Sequence, residues 1–175
     1  IPMPNQCNSC GMLTLNTKGV GTQQIENQIN EFFPEIKVGR MDWDSTRGKW
    51  DFDKIIESFE KEEVQILVGT QMVVKGLDFK NVLLVGVINA DHILNSPDFR
   101  SHERSYQMLC QVAGRAGRSD KKGKVMIQTY DPENLTLKQV IKNDYEGLFN
   151  IEKKERIQYH YPPYYRMIKI TFKSR

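Results

Sequence analysis

Hydrophobic positions along the chain alternate between two spacings. Ile25, Ile29, Phe32 and Phe33 fall at i, i+4, i+7 and i+8, one face of a helix that begins near Gly21 and stops at Pro34. Ile36 to Met41 predicts a short strand, and Phe52, Ile55, Ile56 and Phe59 return to the helical spacing. Val64 to Val68 and Val82 to Ile88 are apolar runs interrupted only by Gln65 and Gly86. Such runs suit strands buried on both faces, hence a parallel sheet covered by helices. Tyr106, Leu109, Cys110 and Ala113 predict a further helix and Lys124 to Tyr130 a further strand. Asp131-Pro132 offers an N-cap and first-turn pair for a last helix, whose face is Leu137, Val140, Ile141, Tyr145 and Leu148. The alternation of helices and strands predicts an α/β fold with a mostly parallel sheet.

Near residue 150 the pattern changes. Tyr159 to Tyr165 is aromatic and Pro-rich, and Met167 to Phe172 predicts a single strand that cannot bury itself. This tail is expected to begin a following domain. The chain opens on Ile1-Pro2 and stops at Lys173-Ser174-Arg175, which is expected of a piece of a longer protein.

Composition narrows the picture only a little. The 175 residues are 39% hydrophobic and 27% charged, which argues against disorder. No apolar run reaches the length of a membrane-spanning helix. Lys plus Arg is 25 against 22 Asp plus Glu, a net charge of +3, so a nucleic-acid partner must be argued from local clusters. Three cysteines, an odd number without a signal peptide, argue against a disulfide scaffold and for a reducing, cytoplasmic setting.

The chemistry concentrates in two segments. The first is Gln111-Val112-Ala113-Gly114-Arg115-Ala116-Gly117-Arg118, with two arginines three apart at the end of a predicted helix, where they project from nearly the same face. Each guanidinium is permanently charged and presents a planar donor fork that fits phosphate, as an arginine finger requires. A solvated basic helix end is the plainer alternative, because cations there also complement the helix dipole. The second segment follows a strand: Gly69-Thr70-Gln71-Met72-Val73-Val74-Lys75-Gly76-Leu77-Asp78. Loops at the carboxyl ends of parallel strands hold ligands in open α/β sheets. Thr70 and Gln71 could hold a nucleic-acid phosphate, and Asp78 could orient a ribose or an arginine. This loop is not a Walker A loop: Val74 and Gly76 stand where its second Gly and its magnesium-binding Ser or Thr belong. No Asp-Glu pair occurs anywhere to serve as a Walker B acid.

Gly-Thr-Gln-Met with Lys-Gly-x-Asp-Phe, then Gln-Val-Ala-Gly-Arg-Ala-Gly-Arg, resembles the second RecA-like lobe of superfamily-two helicases, and more narrowly the bacterial replication-restart (primosomal) helicase family. Cys7-x-x-Cys10-Gly11, Gly21-Thr22-Gln23, Arg40-Met41-Asp42-Trp43-Asp44-Ser45-Thr46, Asn95 to Arg104 and Tyr161-Pro162-Pro163-Tyr164 resemble further segments of that family. Gln23 stands where the family has Glu, and Asn89-Ala90-Asp91 where it has Asp-Ala-Asp.

The resemblance implies a three-layer RecA-like lobe over residues 19–150, preceded at 1–18 by the remnant of a Cys-rich zinc insertion and followed at 151–175 by the start of a C-terminal domain. It implies an ATP-dependent 3′–5′ DNA helicase. ATP and Mg2+ would be bound mainly by a first lobe. Arg115 and Arg118 would reach the γ-phosphate, Gln111 and Asp78 would position them, and Gly76 would let the loop approach the nucleotide. Gly21, Thr22, Thr70, Gln71 and Lys75 would grip single-stranded DNA. Partners implied for the full-length relative are forked DNA, a single-strand-binding protein and primosome proteins. Cys7 and Cys10 would be two of four Zn2+ ligands, a partial zinc knuckle. The isolated piece is expected to hydrolyse no ATP. Another superfamily-two translocase lobe, or a non-catalytic zinc-ribbon DNA-binding module, is the alternative.

Cys110 is expected in the core. Histidines 92, 102 and 160 have no acid–base partner spacing. Lys121, Lys122 and Lys124 form a charge run expected to be a solvated turn. The Tyr159–Tyr165 cluster could stack bases, or dock the next domain.

Overall fold

The structure, a computed structural model, describes residues 21–42, 45–46, 51–70, 73, 79, 81–117, 123–168 and 170–172. The chain divides into two compact units, Ile1–Leu77 and Asp78–Arg175.

The first unit is a strand–helix–strand motif with one helix before it. Helix α1 spans Thr22–Phe32, strand β1 Val38–Met41, helix α2 Asp51–Glu60 and strand β2 Ile66–Gly69. β1 and β2 pair in parallel, Val38 opposite Ile66 through Met41 opposite Gly69. A parallel pair requires a crossover, and α2 supplies it. Phe52, Ile55, Ile56 and Phe59 of α2 are half-buried, as their spacing predicts. A Cβ on Gly39 would stand 3.0 Å from Val64 and 3.7 Å from Ile55, so strand and helix lie close. Phe32 and Phe33 are exposed despite belonging to the predicted face of α1, and only Ile25 and Ile29 are half-buried.

The second unit holds strand β3 (Leu84–Val87), helices α3 (Asp91–Leu94) and α4 (Ser101–Ala113), strand β4 (Lys124–Ile127), and helices α5 (Leu135–Lys142) and α6 (Tyr145–Gln158). β3 and β4 are parallel, Leu84 opposite Lys124 through Val87 opposite Ile127. The core is built from Ala90, Leu94, Tyr106, Leu109, Leu137, Val140 and Leu148, with Val87, Cys110 and Ile127 packed against it. Both pairs are parallel, in keeping with an α/β fold. Among the described residues no helix is long and apolar enough to cross a membrane.

Several expectations need correction. β3 and β4 alternate exposed and half-buried positions, and Leu84 of β3 lies open, where the apolar run Val82 to Ile88 predicted burial on both faces. Their own unit's core lies on one face only. On α4 the buried stripe is Ser105, Tyr106, Leu109 and Val112, and Ala113 is exposed. The single helix predicted over Leu137–Leu148 is two. Asn143 takes a left-handed conformation that ends α5, and Asp144 accepts the Gly147 amide at 2.8 Å to start α6. Ile141 and Tyr145 are consequently exposed. Asn134, and not Asp131, caps α5 by accepting the Thr136 amide at 3.0 Å. α6 runs from Tyr145 to Gln158, through the point near residue 150 where the composition shifts. The described residues of Met167–Phe172 form no strand, and Met167, Ile168, Ile170 and Phe172 are exposed.

Candidate functional site: an arginine turn and a strand-edge cluster

In the second unit, α4 carries the arginine motif to the edge of the strand pair. The helix ends at Ala113 with Gly114 as its cap, so Arg115 lies beyond it. The Arg115 amide donates to the Val112 carbonyl at 3.0 Å and the Ala116 amide to the Ala113 carbonyl at 3.3 Å, a tightened final turn. Gly117 then takes φ 78°, which a side chain resists, and its amide donates to the Val82 carbonyl at 3.1 Å. The helix thus stops two residues before Arg115, which stands in the turn and not on the helix itself. Gly123 was not singled out by sequence. A Cβ there would stand 2.1 Å from the Gly117 amide nitrogen and 2.4 Å from the Ala116 carbonyl carbon, so this glycine lets the turn rest on the start of β4. Gln111 is exposed and Arg115 half-buried. They stand four apart along α4 and the turn that extends it, a spacing that sets side chains near one another. Arg118 lies outside the described residues.

In the first unit, polar groups gather at the carboxyl ends of β1 and β2. Gly21 precedes α1 in an extended conformation and its carbonyl accepts the first helical amides. The Thr22 hydroxyl donates to the Asp42 carboxylate, just past β1. Asp42 also accepts the Ser45 amide at 2.8 Å and faces Arg40 Nε at 3.2 Å. Arg40 in turn reaches Glu26 of α1 at 3.2 Å. Ser45 Oγ donates to the Arg40 carbonyl at 2.9 Å and Thr46 Oγ1 to the Asp42 carbonyl at 2.6 Å. Burial alone would push the Asp42 carboxyl up. Hydrogen bonds from Thr22 and Ser45 and the Arg40 charge together outweigh it, holding the carboxyl below the usual range.

The Thr22 hydroxyl is thus engaged within the protein. What the α1 start can offer a phosphate is its backbone amides. Thr70 is exposed, and its amide donates to the Met41 carbonyl at 3.4 Å. A Cβ on the preceding Gly69 would stand 2.5 Å from that same carbonyl oxygen. The structure therefore places Gly21, Thr22 and Thr70 around one strand edge and adds Asp42, Arg40 and Glu26, which sequence reasoning left without a role. The available signal was a charged pair, Arg40 and Asp42, at the end of a predicted strand. Gln71, Lys75, Gly76 and Asp78 lie outside the described residues.

Cys7, Cys10, Lys121 and Lys122 also lie outside them, and among the described residues no group of three or more His, Cys, Asp or Glu side chains could hold a metal ion. Cys110 packs on the core as expected. His102 Nδ1 is 3.0 Å from Thr136 Oγ1, a link between α4 and α5. Tyr161 stacks on Phe99 of its own unit, ring centroids 5.1 Å apart.

Comparison with known proteins fits this picture. Residues 9–120 match the family model described as the helicase conserved C-terminal domain. The chain is 43% identical over 170 residues to the replication restart protein PriA of Bacillus subtilis (strain 168), covering 97% of this chain and 21% of that protein. It is 41% identical to PriA of Synechocystis sp. over 94% of this chain and 20% of that protein, and 41% identical to PriA of Haemophilus influenzae over 93% and 22%. The chain therefore spans about a fifth of the length of these relatives. It belongs to the helicase conserved C-terminal domain family, as a superfamily-two RecA-like domain homologous to bacterial PriA proteins.

Proposed function

We propose that this chain is the second motor lobe, of three-layer RecA type, of an ATP-dependent 3′–5′ DNA helicase that acts in replication restart. The observation that carries the reading is the Gln111–Gly117 segment, a helix end that leads Arg115 into a turn whose Gly117 amide donates to the Val82 carbonyl, just before β3.

The residues present suit one half of a nucleotide site. They offer guanidiniums but neither a phosphate loop nor a Walker B acid, so ATP and Mg2+ are held mainly by a first lobe of the complete protein. The nucleotide supplies the anhydride bond whose cleavage drives the cycle. Arg115 and Arg118 neutralise charge that develops on the transferred phosphoryl oxygens. Gln111 and Asp78 hold those guanidiniums, and Gly76 admits the loop to the nucleotide. The strand edge of the first unit grips single-stranded DNA through the α1 amides behind Gly21 and Thr22, and through Thr70, Gln71 and Lys75. The loop between Gly69 and Phe79 couples the two ligands. Cys7 and Cys10 supply two of four Zn2+ ligands in the complete protein, whose partners are forked DNA, a single-strand-binding protein and other primosome proteins in the bacterial cytoplasm.

The test is steady-state ATP hydrolysis by the complete protein with single-stranded DNA. Arg118→Ala is expected to lower DNA-stimulated kcat by about 10³-fold or more, with DNA affinity retained. Collapse of DNA binding instead would make Arg118 a phosphate anchor. The isolated chain is expected to hydrolyse no ATP, and sustained turnover by it would sink the two-lobe reading.

A further inference from the structure

Far from the arginine turn, one guanidinium gathers four groups from three segments. Arg156, in the last turn of α6, places Nη2 at 2.7 Å from Glu103 Oε2 in the first turn of α4 and at 3.4 Å from Glu152 Oε2 one turn earlier. Its Nη1 donates to the Pro162 carbonyl at 3.3 Å, in the turn that leaves α6. Its Cζ stands 5.4 Å from the centroid of Phe99, the ring on which Tyr161 stacks with 17° between planes. The Arg156 side chain is 15% exposed and that of Glu152 is 9% exposed. A link needed only for stability is made as well by packed apolar side chains, because taking charges out of water offsets most of their attraction. What the planar fork adds is direction: it fixes several acceptors in one relative orientation.

Glu103 and Arg115 are connected by α4, which is continuous to Ala113. At about 1.5 Å rise per residue Glu103 lies about 15 Å along this rod from Ala113, two residues before Arg115. The middle of the rod is held by Tyr106, Leu109 and Val112 in the core, and its far end by the backbone bonds of residues 115–117. We propose that Arg156 is a positioning residue for the arginine turn: it clamps the start of α4 to the segment leaving α6, so that the tail and the finger helix move as one piece. The proposal rests on the finger reading of Arg115 and Arg118.

The test uses the complete protein and two readouts. For Arg156→Gln, kcat of DNA-stimulated ATP hydrolysis is expected to fall about 10- to 100-fold, the cost of a small misplacement of catalytic groups, while the KM for ATP and the Kd for DNA hold within about twofold. Glu103→Gln should act in the same direction, and the double variant should lose no more than Arg156→Gln alone, since both changes break one link. The second readout is amide hydrogen exchange at Arg115, Ala116 and Gly117, which should quicken in Arg156→Gln with or without turnover. A role confined to local stability would quicken exchange in α6 and the first turn of α4 only. That result, unchanged kcat, or losses that multiply in the double variant would overturn the proposal. Tyr161→Leu leaves no buried charge unpaired and is the second variant: wild-type kcat and wild-type exchange at 115–117 in both Tyr161→Leu and Glu103→Gln would overturn it even if Arg156→Gln did not fold. Absence of DNA-stimulated hydrolysis in the wild-type protein would count against the finger reading, and the exchange readout would still decide the clamp.

Discussion

The two strand pairs end in similar ways but are held differently. Past β1, Asp42 gathers Thr22, Ser45 and Arg40. Past β3, Asp91 accepts the Thr129 hydroxyl at 2.9 Å and the Tyr130 amide at 3.0 Å, closing the exits of β3 and β4 onto each other. The surroundings differ. The second unit sets its edge on a continuous apolar core, whereas α1 and α2 of the first unit contain no buried residue. Apolar burial is non-directional and tolerates small shifts, while a hydrogen-bonded carboxylate fixes particular atoms. The arginine turn is therefore held by a packed helix and backbone bonds, and the strand edge of the first unit by polar links.

Changes at four positions sharpen or break that contrast. Leu109→Ala empties the centre of the second core, where Leu109 is 1% exposed, and should cost about 2–5 kcal/mol in urea unfolding. A loss no greater than that of Asp42→Ala would erase the contrast. Asp42→Ala should cost about 1–3 kcal/mol, because the part-buried Thr22, Arg40 and Ser45 groups lose their acceptor. It should also weaken DNA binding by the complete protein if the α1 start contacts the strand. The same carboxyl gives the first unit an acid limb. Its folded pKa lies below the ordinary 3.8, so its contribution is complete above that value and drains away as pH falls through the folded pKa. Asp42→Asn should flatten that limb in a pH series of unfolding midpoints. Asn134→Ala removes a helix cap and should cost about 1 kcal/mol by the same unfolding measurement, with no change in DNA affinity. Lys61→Ala breaks an exposed pair with Glu57 and should leave the melting temperature unchanged.

Periodicity made much of this fold legible. Phe52, Ile55, Ile56 and Phe59 do mark the packed face of α2, and each predicted strand up to Tyr130 contains an observed one, displaced by a residue at most at its ends or shortened there. Apolar spacing does not register a break that preserves it. Leu137, Val140 and Leu148 reach one core from two helices, and only the left-handed Asn143 separates them. Competing cap residues misled in the same region: Asp131 accepts the Glu133 amide at 3.2 Å in a turn of its own, and Asn134 caps the helix. The arginine segment was legible as a candidate by residue type, through its paired Gly-Arg steps. Its geometry was not, since the φ of Gly117 depends on the Val82 carbonyl and on Gly123, both distant in sequence. Asp42 and Arg156 were illegible for a related reason. A charged side chain beside a strand or in a helix's last turn reads as solvated until its partners, 20 and 53 residues away, are known.

The central claim is that guanidiniums of this lobe meet a phosphoryl group in flight. The most direct measurement compares the affinities of the complete protein, bound to single-stranded DNA, for ADP and for ADP with a fluoroaluminate that mimics the transferred phosphoryl group. The account predicts that Arg118→Ala lowers affinity for the mimic by about 10²-fold or more and leaves that for ADP unchanged. Equal losses for both ligands, or no loss for either, would contradict it.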